Sequence, residues 1–243
     1  MAMLFVVGTP IGNLEDVTLR ALRVLREADV ILCEDTRVTR KLLARYEISK
    51  PLVSYHEHSS VAKIAEIAAL LREGKNIALV TDAGTPGISD PGALLVRKVR
   101  EYFTNLRSSR SDLGSAERSD LSEPLTITSV PGPSALTAAL SIAGVPVHDF
   151  VFLGFLPHKK GRETLFREIA ASERTVVFYE SPHRILKTLE SLQKHAPEKQ
   201  VTVCRELTKI HEEVKNGSAS ELLEFFKKNS EKVRGEFVVI AGA

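Results

Sequence analysis

Short, continuously apolar runs alternate with amphipathic stretches from the first residues onward. The spacing predicts strands at 4–7, 30–33, 77–80 and 127–130, and helices over 17–27, 39–46, 61–72, 93–103 and 134–142. In the helix over 61–72, for example, Ile64, Ile67, Ala68 and Leu71 fall on one face. Strands that are apolar throughout, each followed by a helix, make a mostly parallel sheet covered on both faces. Beyond Val145-Pro146-Val147 the rhythm changes: strands are expected at 150–155, 175–179, 201–204, 213–215 and 237–240, with helices over 163–171, 185–194 and 219–228. Helices are fewer there and strands closer together, which predicts a mixed sheet. The expected organisation is therefore α/β in two domains, 1–150 with a mostly parallel sheet and 151–243 with a mixed one.

Composition narrows the class. With 43% hydrophobic and 26% charged residues, the chain of 243 residues has enough apolar material for a sizeable core. Its 33 basic and 31 acidic side chains sum to +2, too balanced to coat nucleic acid by net charge, so RNA binding would need a local basic patch. The two cysteines, Cys33 and Cys204, sit in strand-like apolar runs and suit a reducing cytoplasm. The N-terminus lacks the basic start and long apolar stretch of a signal peptide, and no run approaches the roughly 18 apolar residues of a membrane span. A cytoplasmic protein without membrane contact is expected. The stretch 104–123, rich in Ser, Arg, Asp and Glu, reads as a solvated surface loop.

Candidate chemistry gathers where strands end, the place doubly wound sheets put their ligand crevice. The first segment, Val7-Gly8-Thr9-Pro10-Ile11-Gly12-Asn13-Leu14, has glycines for a tight turn or a close backbone approach, but neither the dinucleotide nor the phosphate-loop spacing. The second, Thr81-Asp82-Ala83-Gly84-Thr85-Pro86-Gly87-Ile88-Ser89-Asp90-Pro91-Gly92, is a constrained loop that fits a ligand site, although Asp90 can equally cap the next helix. The third, Val130-Pro131-Gly132-Pro133-Ser134-Ala135, turns sharply, and Ser134 can cap a helix or offer its hydroxyl to a ligand.

Read in order, the segments VGTPIGNLEDVTLRALRVL, CEDTRVTRKLL, SYHEH, TDAGTPGISDPG, VPGPSAL, FLGFLP, VFYESPHRI and RELTKIHEE resemble the ribosomal RNA small subunit methyltransferase I family over nearly the whole chain. The resemblance implies a tetrapyrrole-methylase-like fold, a class III methyltransferase with S-adenosylmethionine in a cleft between two α/β domains, and a homodimer. It implies methyl transfer to the ribose 2′-oxygen of a cytidine in 16S ribosomal RNA, as free RNA or in the small subunit. On this pattern Pro10 and Ile11 flank the cofactor, Asp82, Ala83, Gly84 and Ile88 contact it, and Ser134 and Ala135 line the same cleft. Phe155 and Tyr179 resemble positions that close over it. The chain departs from the pattern in the 104–123 insertion, and in stopping after the last expected strand where many members continue into a small helical domain.

A ribose hydroxyl is a poor nucleophile, so a carboxylate that takes its proton would help. Glu34, Asp35 and Arg37, at the end of the second expected strand, are the catalytic candidates, with Arg37 or Arg40 expected to pair with one of the acids. A strand-end salt bridge is the competing reading. His56-Glu57-His58 has the wrong spacing for zinc and sulfonium chemistry needs no metal, so no metal is predicted; the family resemblance implies substrate contact there. Glu180 and His183 are further candidates, or caps for the helix near Ile185. Arg37, Arg40, Lys41 and Arg45 on one helix, and Lys159, Lys160 and Arg162 in a loop, are candidate phosphate contacts or solvated faces. Rival functions are a methylase of a tetrapyrrole or other small molecule, and a cofactor-binding module without catalysis.

Overall fold

The computed structural model describes residues 2–56, 59–108 and 125–242, and the chain divides into two compact units, Met1–Ser134 and Ala135–Ala243. In the first unit the elements run β1 (Met3–Val7), α1 (Leu19–Glu27), β2 (Val30–Cys33), α2 (Thr36–Arg45), β3 (Leu52–Ser54), α3 (Val61–Arg72), β4 (Ile77–Leu79), α4 (Gly92–Ser108) and β5 (Thr126–Val130). All five strands are parallel, in the order β3-β2-β4-β1-β5.

Both faces of this sheet are covered, which is why β1, β2 and β4 are apolar at every position rather than at alternate ones. Val7, Ile31, Cys33 and Ala78 pack with Ala21, Leu22 and Leu25 of α1 and Leu43 of α2 on one side. Leu4, Leu32, Ile77 and Leu79 pack with Ile64, Ile67 and Leu71 of α3 and Leu95 and Val99 of α4 on the other. Helix starts follow side-chain caps: Thr18 Oγ accepts from Ala21 N–H, and Ser60 Oγ from Lys63 N–H. Asp35 likewise caps α2 and starts it at Thr36, ahead of the expected 39, because its carboxylate accepts the Arg37 N–H at 2.8 Å. Strand β3 was not expected: three residues after Pro51 carry no period of their own, and the ladder Ile31↔Leu52, Leu32↔Val53, Cys33↔Ser54 defines it. Helix α4 continues to Ser108, through the start of the expected loop at 104, and the remainder of that stretch from 109 lies outside the described residues.

In the second unit α5 (Ala135–Ala143) precedes β6 (Phe150–Phe155), α6 (Arg162–Ala171), β7 (Thr175–Glu180), α7 (Ile185–His195), β8 (Gln200–Arg205), β9 (Glu213–Ser218), α8 (Ala219–Lys228) and β10 (Phe237–Ala241). The sheet is mixed, in the order β6-β7-β10-β8-β9, with β6 parallel to β7 and the other pairs antiparallel. Alternate residues Phe237, Val239 and Ala241 of β10 join Val176, Phe178, Val201 and Val203 in a core with Phe166, Leu189, Leu192, Leu222 and Phe226 from α6, α7 and α8. Each fully buried Phe or Leu there stabilises the unit by about 1.5–3 kcal/mol. Helix α5 packs on β10, so it groups with the second unit although it precedes the expected boundary near 150. Among the described residues no helix is long and apolar enough to cross a membrane.

Candidate active site

Strand order creates the first unit's crevice. The crossover from β1 passes over β4 to reach β2, and that from β4 passes over β1 to reach β5, so adjacent strands send their chains in opposite directions. Such a switch point opens a gap at the carboxyl ends of the two strands, and the first and second glycine-rich segments begin there.

Three contacts knit the loops. Thr9 N–H donates to the Gly84 carbonyl at 2.9 Å and Gly84 N–H returns a bond to the Thr9 carbonyl at 3.1 Å. The Thr9 hydroxyl, buried, donates to the Thr81 carbonyl at 3.1 Å. The Thr85 hydroxyl donates to the Pro133 carbonyl at 3.1 Å, which ties in the third loop. Gly8 and Gly132 approach so closely that a Cβ on Gly8 would lie 2.7 Å from Gly132 Cα. Gly84 sits at φ +84, where side chains are strained, and a Cβ there would meet Ile11 at 3.3 Å. Ser89 also has positive φ, +66, and Asp90 stabilises that turn: its Oδ1 accepts from Gly87 N–H at 2.8 Å and from Gly92 N–H at 2.7 Å. Asp90 therefore acts as the cap of the turn and of the first residue of α4.

Pro10 and Ile11 are buried, while Asp82, Ala83 and Ile88 are exposed on the rim. Asp82 Oδ1 accepts the Asp35 N–H at 3.0 Å, linking the ends of β4 and β2. Ser134 closes the third loop at the end of this unit.

The acids after β2 differ sharply in environment. Glu34 is partly buried, and its Oε1 accepts from the Thr81 hydroxyl at 2.5 Å. Burial pushes its pKa above the ordinary 4.5, helped by the nearby Asp82 and Asp90 charges and opposed by the Thr81 bond. Asp35 instead receives Arg37 Nε at 3.0 Å and Nη2 at 2.5 Å, and these bonds hold its pKa down to about 2. Arg37 is thus the partner of Asp35, with the guanidinium exposed and the carboxylate partly so, and such a pair adds only modestly to stability. Arg40, Lys41 and Arg45 lie exposed along α2, which carries no acid. His56 is exposed, whereas Glu57 and His58 lie outside the described residues; among the described residues no group of three potential ligands could hold a metal.

Ala135, Phe155 and Tyr179 belong to the second unit. The rings of Phe155 and Tyr179 meet edge to face at 5.5 Å, and Phe152 meets Tyr179 at 5.0 Å. Phe152 and Phe155 would face opposite ways in a regular strand; an irregularity between them, with Gly154 at φ +62, brings both against Tyr179. Two sequence expectations change here. Glu180 is neither an accessible acid nor the cap of α7, because its fully buried carboxylate is bonded to Arg162, Arg184 and Thr188. Arg162 is accordingly engaged internally, while Lys159, Lys160 and His183 are exposed. Thr9 and Arg184 were not among the expected site residues; a threonine two residues past a strand and an arginine at a helix start were the signals.

Comparison with known proteins places this architecture. The profile of the tetrapyrrole (corrin/porphyrin) methylases matches residues 3–223. Ribosomal RNA small subunit methyltransferase I of Thermotoga maritima is 44% identical over 240 residues, covering 99% of this chain and 98% of that one. The enzyme of the same name from Synechocystis sp. is 44% identical and covers 100% of this chain and 80% of its own. A solved structure of uroporphyrin-III C-methyltransferase from Thermus thermophilus, complexed with S-adenosylhomocysteine, has a TM-score of 0.62 at 19% identity, covering 100% of this chain and 97% of that one. The fold is thus that of the tetrapyrrole methylases, and at 44% identity over nearly its full length the chain belongs to the ribosomal RNA small subunit methyltransferase I family.

Proposed function

We propose that this chain transfers a methyl group from S-adenosylmethionine to the ribose 2′-oxygen of a cytidine in 16S ribosomal RNA, acting in the cytoplasm as a homodimer. The observation that carries the mechanistic part is the Glu34–Thr81 hydrogen bond, which holds a partly buried carboxylate beside the loop after β4. Bound S-adenosylmethionine supplies an electrophilic methyl carbon. Holding the acceptor oxygen in line with that carbon accounts for much of the acceleration, and the protein contributes by positioning.

The loops at the switch point suit such a ligand. Gly84 and its bonds to Thr9 leave close backbone access above buried Ile11, and Asp82, Ala83 and Ile88 offer polar and apolar contacts on the rim. We assign Pro10, Ile11, Asp82, Ala83, Gly84, Ile88, Ser134, Ala135, Phe155 and Tyr179 to cofactor binding. Glu34 is the proton acceptor: its burial, with the nearby Asp82 and Asp90 charges, outweighs the opposing Thr81 bond and leaves a carboxylate of raised proton affinity. Asp35, whose pKa is low, is a poor acceptor; with Arg37 it positions RNA, and Arg40, Lys41 and Arg45 contact phosphates. Lys159 and Lys160, exposed in the second unit, are assigned to phosphate contact as well.

The test is a ribose-methylation map of 16S RNA from cells with and without the protein, paired with transfer assays on purified small subunits and on a porphyrinogen. Loss of one cytidine 2′-O-methyl in the deficient cells, restored by the purified protein, is the expected result. An unchanged map, or transfer to the porphyrinogen alone, would overturn the assignment.

A further inference from the structure

Arg162, Glu180 and Arg184 form a charge cluster at the end of the second sheet, where the chain leaves β6 and β7. The Glu180 side chain is 0% exposed, and those of Arg162 and Arg184 are 13% and 14% exposed. Glu180 Oε2 accepts from the Thr188 hydroxyl at 2.6 Å and from Arg162 Nη2 at 3.3 Å, and Oε1 accepts from Ser181 N–H at 2.8 Å and Arg184 Nε at 2.7 Å. Two guanidiniums share one carboxylate. Burying three charges is costly, and such groups are poor evidence for stability alone.

The remaining donors show what the cluster orders. Arg184 Nη1 donates to the Leu156 carbonyl at 2.7 Å, and Arg162 Nη1 donates to the Pro157 carbonyl at 3.1 Å. Leu156 directly follows Phe155, and Glu180 directly follows Tyr179. Each guanidinium fork therefore clamps main chain beside one ring to the carboxylate beside the other. Phe155 is itself 56% exposed, so core packing does little to fix its ring, and the irregular β6 ladder leaves its backbone less constrained than a regular strand.

We infer that Arg162, Glu180 and Arg184 are positioning residues that set the Phe155–Tyr179 pair at the geometry needed to contact the cofactor. This rests on the proposal that these rings face S-adenosylmethionine. Arg is required rather than Lys, because one ammonium cannot reproduce two donors set in a planar fork.

Arg184→Lys is the informative change, with calorimetry using S-adenosylhomocysteine and steady-state methylation of small subunits as readouts. The expected result is a rise of about ten-fold in dissociation constant and in KM for the methyl donor, the equivalent of one lost hydrogen bond, with kcat at saturating donor and KM for the subunit unchanged. A general structural role would lower kcat and raise both KM values together, and that outcome overturns the inference, as does unchanged donor affinity. Should Arg184→Lys fail to fold, Thr188→Val, which removes one bond to Glu180 at similar volume, must raise the same constant in the same direction, and unchanged affinity again overturns it. Phe155→Ala and Tyr179→Leu separate the two layers: if neither alters donor affinity, the placement of the rings is wrong. If they do and the cluster variants do not, only the positioning role fails.

Discussion

Gly8→Ala puts the packing of the crevice to a direct test. Gly8 does not have positive φ, so alanine suits its backbone, and any cost must come from space. The added methyl carbon would lie 2.7 Å from Gly132 Cα, 2.8 Å from its nitrogen and 3.2 Å from its carbonyl carbon. These are backbone atoms, which cannot swing away as a side-chain end can, so the ends of β1 and β5 must separate. Separation also stretches the 3.0 Å bond from Gly8 N–H to the Val130 carbonyl. Overpacking of this kind costs about 1–3 kcal/mol and the weakened hydrogen bond about 1 kcal/mol, so the first unit should lose roughly 2–4 kcal/mol. Urea unfolding followed by far-ultraviolet circular dichroism measures this. Gly74→Ala is the control: it sits at φ +82 with nothing within 4 Å of an added Cβ, so its cost is backbone strain alone, about 1–2 kcal/mol. If Gly8→Ala unfolds at the same urea concentration as the unmodified protein, the claim of a tight β1–β5 approach is refuted.

Glu34→Gln should lower kcat on small subunits by about a hundred-fold or more while leaving S-adenosylhomocysteine affinity intact; normal turnover would remove Glu34 from the chemistry. Because burial raises the Glu34 pKa, and the acceptor must be ionised, kcat/KM should climb as pH rises through a value above 4.5, and that limb should vanish in the Gln variant. Asp35 has the opposite sign: its depressed pKa contributes stability present above the ordinary 3.8 and lost as pH falls through about 2. The stability gap between the unmodified protein and Asp35→Asn should therefore close in acid, and a gap that is constant with pH would contradict the Arg37 pairing. Asp90→Ala removes the acceptor for Gly87 and Gly92 N–H and should cost about 1 kcal/mol in urea unfolding, with no loss meaning that the Ser89 turn holds itself.

Sequence alone determined the order and type of nearly every element. Their signals are local: the periods of α3 and α8, the fully apolar β4, and caps such as Thr18 and Ser60 lie within a few residues of what they specify. It also revealed the glycine-rich strand ends and the family, because long ungapped segments survive in order. Tertiary structure decided whatever depends on residues far apart along the chain. Strand β3 exists through its ladder with β2, and the crevice arises from the order in which β1 and β4 are neighbours. The two candidate acids Glu34 and Asp35 are adjacent in sequence, yet Thr81 on a distant loop takes one and Arg37 the other, which separates their proton affinities. Arg162 looked like its neighbours Lys159 and Lys160 until Glu180 and Thr188 drew it inward. A side chain's charge is written in the sequence, but its solvation and partners, which set what that charge can do, exist only once the chain has folded.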